Sequence, residues 1–328
     1  MRTLATPLTG ERTAFSSAAL SKDSSISILR SIWLECLAAD RESSLNKLII
    51  GCGYLGERLA DLWLAEGCRV FATTRSQVRA LELKQAGLEP VICDVLDPAS
   101  LKGIPSVETA VHSIGFDRQS GKSRWDIHVQ GLQNLLEAVR PGRFIYISST
   151  GVYGQSAGEE VDENAPTKPR DESGKIMLEA EKLLRRHLSG AIVLRFAGIY
   201  GPGRLIGRAA MQAGEPIPGA PDKLLNLIHV EDGAAAVLAA ETRAQSGALY
   251  NISDDLPVQR RDYYGYLAQL LKAPEPRFVE VEAGPQTSRH ERANRRIVNR
   301  RMHEELGVQL RYPTYREGVT AILAAQAG

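Results

Sequence analysis

The stretch KLIIGCGYLGERLADLW, residues 47–63, constrains the fold more than any other part of the chain. An apolar run ends in glycines, and Leu55, Leu59, Leu62 and Trp63 then recur at helical spacing. This pattern specifies a buried strand, a glycine turn and an amphipathic helix in direct succession. Gly51-Cys-Gly-Tyr-Leu-Gly56 has the G-x-G-x-x-G spacing of a dinucleotide-binding loop. Gly51 allows the tight turn, Gly53 lets the backbone approach a pyrophosphate, and Gly56 lets helix and strand pack closely. The helix N-terminus at Tyr54 and Leu55 adds N–H groups and a partial positive charge for phosphates.

Further strands read as RVFATT, PVICDV, TAVHSI, RFIYIS and AIVLRF. Between them, Ser76 can cap a helix that Gly87 stops. A longer helix carries Trp125, Val129, Leu132, Leu136 and Val139 on one face. Strands alternating with helices specify an α/β fold, a Rossmann-type doubly wound parallel sheet. After about residue 200 the pattern loosens into the loops GPGRLIG and GEPIPGAPD and helices near 232–243, 261–271 and 315–326. Residues 45–200 are therefore expected to form the dinucleotide-binding domain. Residues 201–328 are expected to form a smaller C-terminal substrate lobe over the edge of the sheet. Residues 1–44 are serine-rich without a clear period and read as an extension. Within it, Leu29, Ile32, Trp33 and Leu37 could form a short docking helix.

Hydrophobic residues are 43% and charged residues 24%, with a formal net charge of +1. Such a balance supplies no global field for nucleic acid or an anionic membrane. No apolar run reaches the roughly 18 residues of a membrane span. Cys36, Cys52, Cys68 and Cys93 lack zinc-site spacing, so free thiols and a cytoplasmic location are expected. No H-E-x-x-H occurs, and no metal is expected.

An NAD-preferring site carries Asp or Glu about 20 residues beyond the loop. Here Thr73 and Thr74 occupy that slot and Arg75 follows. A guanidinium matches a phosphate, so NADP is expected, with NAD as the alternative. Asp94, at the end of the third strand, either accepts from the adenine amino group or caps the turn DVLDP. Ser113, at the end of the fourth strand, is a further cofactor-binding candidate.

YISSTGVYG (146–154), LRFAGIYGPGR (194–204), LNLIHVEDGAAAVLAA (225–240) and LYNISDDLPVQRRDYYGYLAQLL (249–271) follow in order, and NRRIVNRRM leads on to LRYPTYREG. Over residues 45–328 the chain resembles the extended short-chain dehydrogenases, the NAD-dependent epimerase/dehydratase group of nucleotide-sugar enzymes. Its first loop departs from the G-x-x-G-x-x-G usual there. The resemblance implies that Ser149 holds the substrate oxygen. It also implies that Lys175 binds the nicotinamide ribose. The position of the acid–base tyrosine is occupied by Asp171, which reads better as a helix cap or a partner of Lys175. Tyr153 and Tyr200 could substitute, although the resemblance makes both structural.

The resemblance also places Arg204, Asn226 and His229 over the substrate cleft, with His229 alternatively a core histidine. Arg289, Arg292, Arg295, Arg296, Arg300 and Arg301 form a basic run that reads as a solvated face or as contacts to an anionic substrate. The resemblance further implies a homodimer through the helices near 125–139 and 174–188. In this chain Trp125, Leu132, Leu136, Leu178, Leu183 and Leu184 offer apolar surface for that contact. The expected activity is hydride transfer at a hydroxyl or carbonyl carbon of a small molecule, a nucleotide sugar among the candidates. The alternative is a non-catalytic NADP(H)-binding redox sensor.

Overall fold

The structure, a computed structural model, describes residues 46–280 and 293–327. The expectations for residues 1–44, Arg289 and Arg292 lie outside the described residues. The main-sheet strands are β1 (Asn46–Ile50), β2 (Arg69–Thr74), β3 (Glu89–Ile92), β4 (Thr109–His112), β5 (Arg143–Ser149), β6 (Ile192–Phe196) and β7 (Leu249–Ile252). They pair in the order β7-β6-β5-β4-β1-β2-β3, and every pair is parallel. The doubly wound sheet expected from the sequence is therefore present. Strand order reverses between β1 and β4, and in such sheets the ligand crevice opens outside the strand ends at that point.

Helices α1 (Tyr54–Ala65), α2 (Gln77–Gln85), α3 (Gly131–Ala138), α4 (Glu172–His187) and α5 (Val230–Arg243) surround the sheet. On one face, Leu55, Leu59 and Trp63 of α1 meet Ala234, Val237 and Ala240 of α5. On the other, Leu132 and Leu135 of α3 meet Ile176, Ala180 and Leu184 of α4. A separate core of Tyr200, Tyr263, Leu267, Tyr315 and Val319 builds the lobe. The chain crosses the boundary at residue 200 in both directions, because α5 packs on α1 and β7 completes the sheet beside β6. β7 is the strand that the sequence pattern left inside a family block. At four residues it is too short for periodicity to distinguish.

The helix expected over 125–139 begins instead with a π-helical turn, Asp126–Gln130. Its wider turn changes the angular phase. Val129, Leu132, Leu136 and Val139 are buried, whereas Trp125 is 49% exposed. Leu132, Leu136, Leu183 and Leu184 are likewise buried in the chain's own core. The apolar surplus behind the expected dimer contact is thus already used within one chain, apart from Trp125 and the half-buried Leu178. Among the described residues, no helix is long and apolar enough to cross a membrane.

Candidate active site

The loop between β1 and α1 is held from two sides. The Gly51 N–H donates to Thr73 Oγ1 (3.1 Å), and Ser113 Oγ donates to the Gly51 carbonyl (2.9 Å). Gly51 has φ +86°, and a Cβ there would meet Ile114 Cα at 2.7 Å. A Cβ on Gly56 would stand 3.0 Å from Ile49 Cγ2, so this glycine permits close helix–strand packing. At Gly53 a Cβ would meet nothing within 4 Å. Gly53 is also the N-cap of α1, and no side chain caps that helix. Open space in front of an uncapped N-terminus fits a pyrophosphate.

This loop forms one wall of a cavity of about 480 Å³, within the range of small-ligand sites. Gly51, Gly53, Tyr54, Leu55, Thr74, Arg75, Asp94, Ser113 and Arg204 all line it. Arg75 is exposed at the end of β2. Thr74 Oγ1 accepts from the Ser76 N–H (3.2 Å), which shapes the turn into α2. Asp94 Oδ1 accepts from the Leu96 N–H (2.9 Å), so Asp94 caps its turn while lining the cavity. Arg204 approaches from the lobe, its Cζ 5.4 Å from the Tyr54 ring centroid.

Cys52 and Cys93 also line the cavity, and burial pushes their thiols up to about 12 and about 11. With Cys68 they are free among the described residues. Arg79 was missed by sequence reasoning. It pairs with Glu57 and Glu82 and reaches the Cys52 carbonyl (3.4 Å), tying α2 to the glycine loop. Only its one-turn spacing from Ser76 could have signalled this.

The other expected site residues lie outside this cavity lining. Ser149 Oγ accepts from the Gly151 N–H (3.2 Å). Asp171 is the N-cap of α4, its Oδ1 accepting from the Gly174 N–H (2.8 Å). Lys175 is exposed one turn later, and no ion pair joins it to Asp171. Tyr153 is buried, accepting from Arg195 Nη1 (2.9 Å) and donating to Asn251 Oδ1 (2.8 Å). Tyr200 is buried, and burial pushes its hydroxyl pKa strongly upward. Neither phenol is placed as a proton donor to the cavity.

Two substrate-side candidates bond to the protein itself. Asn226 donates to the Arg295 carbonyl (2.9 Å) and accepts from the Ile297 N–H (2.8 Å), so its amide is committed to a neighbouring strand. His229 is buried, and its Nδ1 accepts from the Glu231 N–H (3.3 Å) at the start of α5. Burial lowers its pKa to about 4, and its Nε2 is buried without a hydrogen-bond partner among the described residues. The basic run is also not a uniform face. Arg295 is buried and donates to the carbonyls of Thr150 and Tyr153 (both 2.8 Å), Arg296 donates to the Gly158 carbonyl (2.5 Å), and Arg301 pairs with Glu305 (2.6 Å). Among the described residues no cluster of His, Cys, Asp or Glu could hold a metal.

Residues 48–253 match the model of the NAD dependent epimerase/dehydratase family. Protein YeeZ of Escherichia coli K12 is 30% identical over 276 residues, 81% of this chain and 95% of its own length. A 3-diazoavenalumate denitrifying reductase of Streptomyces is 26% identical over 84% of this chain and 99% of its own. A conserved protein of unknown function from Silicibacter pomeroyi superposes with a TM-score of 0.70 and 31% identity, covering 86% of this chain and 99% of its own. The dTDP-glucose 4,6-dehydratase DesIV of Streptomyces venezuelae, solved with NAD, shares the fold at a TM-score of 0.73 and 19% identity, over 85% of this chain and 96% of its own. A glycine cradle at the switch point of a parallel sheet and a family match over most of the chain converge: this protein belongs to the NAD-dependent epimerase/dehydratase family.

Proposed function

We propose that the chain binds NADP(H) in the 480 Å³ cavity and is an oxidoreductase acting on a hydroxyl or carbonyl carbon of a small molecule. The observation that carries this reading is the open space at Gly53 in front of the uncapped α1, with Arg75 on the same cavity wall. The glycine loop and the first turn of α1 meet the phosphates, and Arg75 supplies the cation that distinguishes a 2′-phosphate from a hydroxyl. The bound nicotinamide supplies or accepts the hydride. Ser149 orients the substrate oxygen, and Lys175 holds ribose hydroxyls. A water at the mouth of the cavity carries the proton, because Asp171 stands where the family resemblance puts a tyrosine. Nucleotide sugars are the first substrate class to examine, since a relative, 27% identical, is a GDP-6-deoxy-D-mannose reductase of Pseudomonas aeruginosa. The test is oxidation of NADPH by the purified chain across a panel of sugar-nucleotide and simple carbonyl compounds. Tight NADPH binding with no turnover on any of them would reject the enzymatic reading.

A second reading follows from Asp171. Its carboxylate is committed to a helix cap, and the family's proton donor is missing. A protein that binds NADP(H) and signals redox state to a partner needs no such donor. Under that reading NADPH and NADP⁺ bind with clearly different affinities and change the exposure of the same surface. Equal affinities would remove it.

A further inference from the structure

Residues 201–204 form a tight turn at the rim of the cofactor cavity. The Gly201 N–H donates to the Arg204 carbonyl (3.3 Å), and the Arg204 N–H donates to the Gly201 carbonyl (2.9 Å). Pro202, Gly203 and Arg204 are exposed, so burial does little to hold the turn in place. The Arg204 guanidinium makes no ion pair or hydrogen bond among the described residues.

Among the described residues, the hydrogen bond and the cation–ring contact that tie this turn to the dinucleotide-binding half both end on Tyr54. The Tyr54 hydroxyl donates to the Pro202 carbonyl (3.1 Å), and Arg204 Cζ stands 5.4 Å from the centroid of its ring. Gly201 packs on the same hydroxyl, since a Cβ there would clash with Tyr54 Oη. Burial raises the phenol above its ordinary range, so it keeps the proton that it donates. Arg58 steadies the ring from within α1, its Cζ 4.5 Å from the centroid and its Nη1 donating to the Tyr54 carbonyl (3.2 Å). Cys52 and Leu55, the neighbours of Tyr54 in the loop, turn instead into the sheet core.

Tyr54 also opens α1, directly after Gly53. Its backbone belongs to the helix start that faces the phosphates, and its side chain reaches the turn. Tyr54 and Arg204 line the same cavity from its two walls. Resting on the NADP(H) reading, we propose that Tyr54 is a positioning residue that transmits cofactor occupancy to the turn at 201–204 and so sets Arg204 over the cavity. Phosphates seated at the α1 N-terminus fix the Tyr54 backbone. A fixed backbone restricts the ring, and the restricted ring holds the Pro202 carbonyl and Arg204. Ordering alone carries such a link, and no large displacement is needed.

The experiment is amide hydrogen exchange of the full chain with and without saturating NADPH, read in peptides covering residues 47–60 and 200–208. In the parent, NADPH should slow exchange in both, at 200–208 by about fivefold or more, the low end of coupling between two sites. Tyr54→Ala at saturating NADPH should keep the slowing at 47–60 and lose it at 200–208. Tyr54→Phe keeps the ring without the donor, so part of the slowing should return. Gly201→Ala pushes the turn off the phenol and leaves the glycine loop untouched. It should also lose the slowing at 200–208, and it decides the matter if Tyr54→Ala does not take up NADPH. A Tyr54 that is only structural would speed exchange at 200–208 equally with and without NADPH. The ratio would then stay at the parent value, and that result overturns the proposal, as does slowing retained in Gly201→Ala. A parent that shows slowing at 47–60 alone fails the Tyr54 link only. A parent that shows none at 47–60 fails the cofactor reading and this one with it.

Discussion

At the glycine loop, Gly53 faces open space and no side chain caps α1. At the other half of the expected site, Ser149 accepts from Gly151, Asp171 caps α4, Tyr153 joins Arg195 to Asn251, and Asn226 holds a neighbouring strand. One region leaves donors pointing at a cavity, and the other closes its polar groups on the protein itself. Buried polar groups need partners, so a site with no protein partner is built for a ligand, and a fully partnered one is built for rigidity. The comparison sets a loop whose N-terminal donors stay open against a region whose named side chains bond to the protein itself.

The largest effect should come from breaking that scaffold. Arg195 is buried and bonds Glu181 through Nε (3.0 Å) and Nη2 (2.7 Å) and the Tyr153 hydroxyl through Nη1. Ser148 Oγ completes the Glu181 carboxylate (2.5 Å). Removing one partner leaves a buried charge uncompensated, which costs about 3–5 kcal/mol. Arg195→Ala should show that loss in urea denaturation. A loss below about 1 kcal/mol, the level of an exposed pair, would mean that the network is not structural.

The same scaffold should be sensitive to acid. His112 and His128 are buried, and burial first lowers their pKa to about 3 and about 4. Unfolded histidine titrates near 6.5. Above that pH both are neutral in either state and their contribution is constant. As pH falls from about 6.5 toward about 4 and then about 3, the unfolded chain takes up protons that the folded chain refuses. Stability therefore falls, with a slope of up to about 1.4 kcal/mol per pH unit for each histidine. Asp232, Asp254 and Glu163 act in the opposite sense, since burial raises their carboxyls and the folded chain protonates first. His112→Phe isolates one contribution. Both of its ring nitrogens are buried without partners, so the change is mild at neutral pH. The difference in urea midpoint between about pH 7 and about pH 4.5 should shrink in this variant. An unchanged difference would contradict the assignment.

The cofactor half should respond in binding and not in stability. Arg75→Ala removes one charge-assisted contact, so NADPH should lose about 1.5–3 kcal/mol of affinity while NADH is little affected. Equal affinities for the two cofactors in the parent chain would refute the NADP preference. Gly53→Ala puts a methyl where no protein atom stands, so the melting temperature should hold while NADPH affinity drops by about tenfold, near the 1–3 kcal/mol of a displaced charged contact. Gly51→Ala sets the contrast. Its positive φ and the 2.7 Å approach to Ile114 should lower both stability and binding. Calorimetry and thermal melts on the pair decide it.

These differences explain what could be read in advance. The glycine loop is local, with strand, turn and helix in one run of residues, so its fold was legible. Ser76 as the cap of α2 was legible for the same reason, and its Oγ does accept from the Arg79 N–H (3.2 Å). Trp125 was misplaced because a π-helical turn leaves no signature in apolar spacing. The bonding of Asn226 and Arg295 was not legible because their partners lie far along the chain, as with the 69-residue separation from Asn226 to Arg295. A polar residue in a substrate-like motif looks the same whether it faces a ligand or a strand 70 residues away, a separation typified by Leu224 and Asn294.

The smallest expected effect bears directly on the boundary between the two regions. Asp171 has an extended backbone (φ −109°, ψ 159°), and its Oδ1 accepts from the Gly174 N–H at 2.8 Å. Gly174 packs against the turn that carries Ser149, since a Cβ there would meet the Gly151 carbonyl at 2.4 Å. The cap therefore fixes where α4 begins beside that turn. Asp171→Ala removes the acceptor and should cost about 1 kcal/mol of stability. Asp171→Asn retains an oxygen that accepts the same bond, so stability and NADPH affinity should stay near those of the parent. If Asp171 were instead the working base, the Asn variant would bind NADPH yet lose about 10²–10⁴ in single-turnover hydride transfer. We expect turnover within several-fold of the parent for Asn and a melting temperature lowered only in Ala. A loss of about a thousandfold in the Asn variant, with cofactor binding intact, would move Asp171 out of the scaffold and into the chemistry.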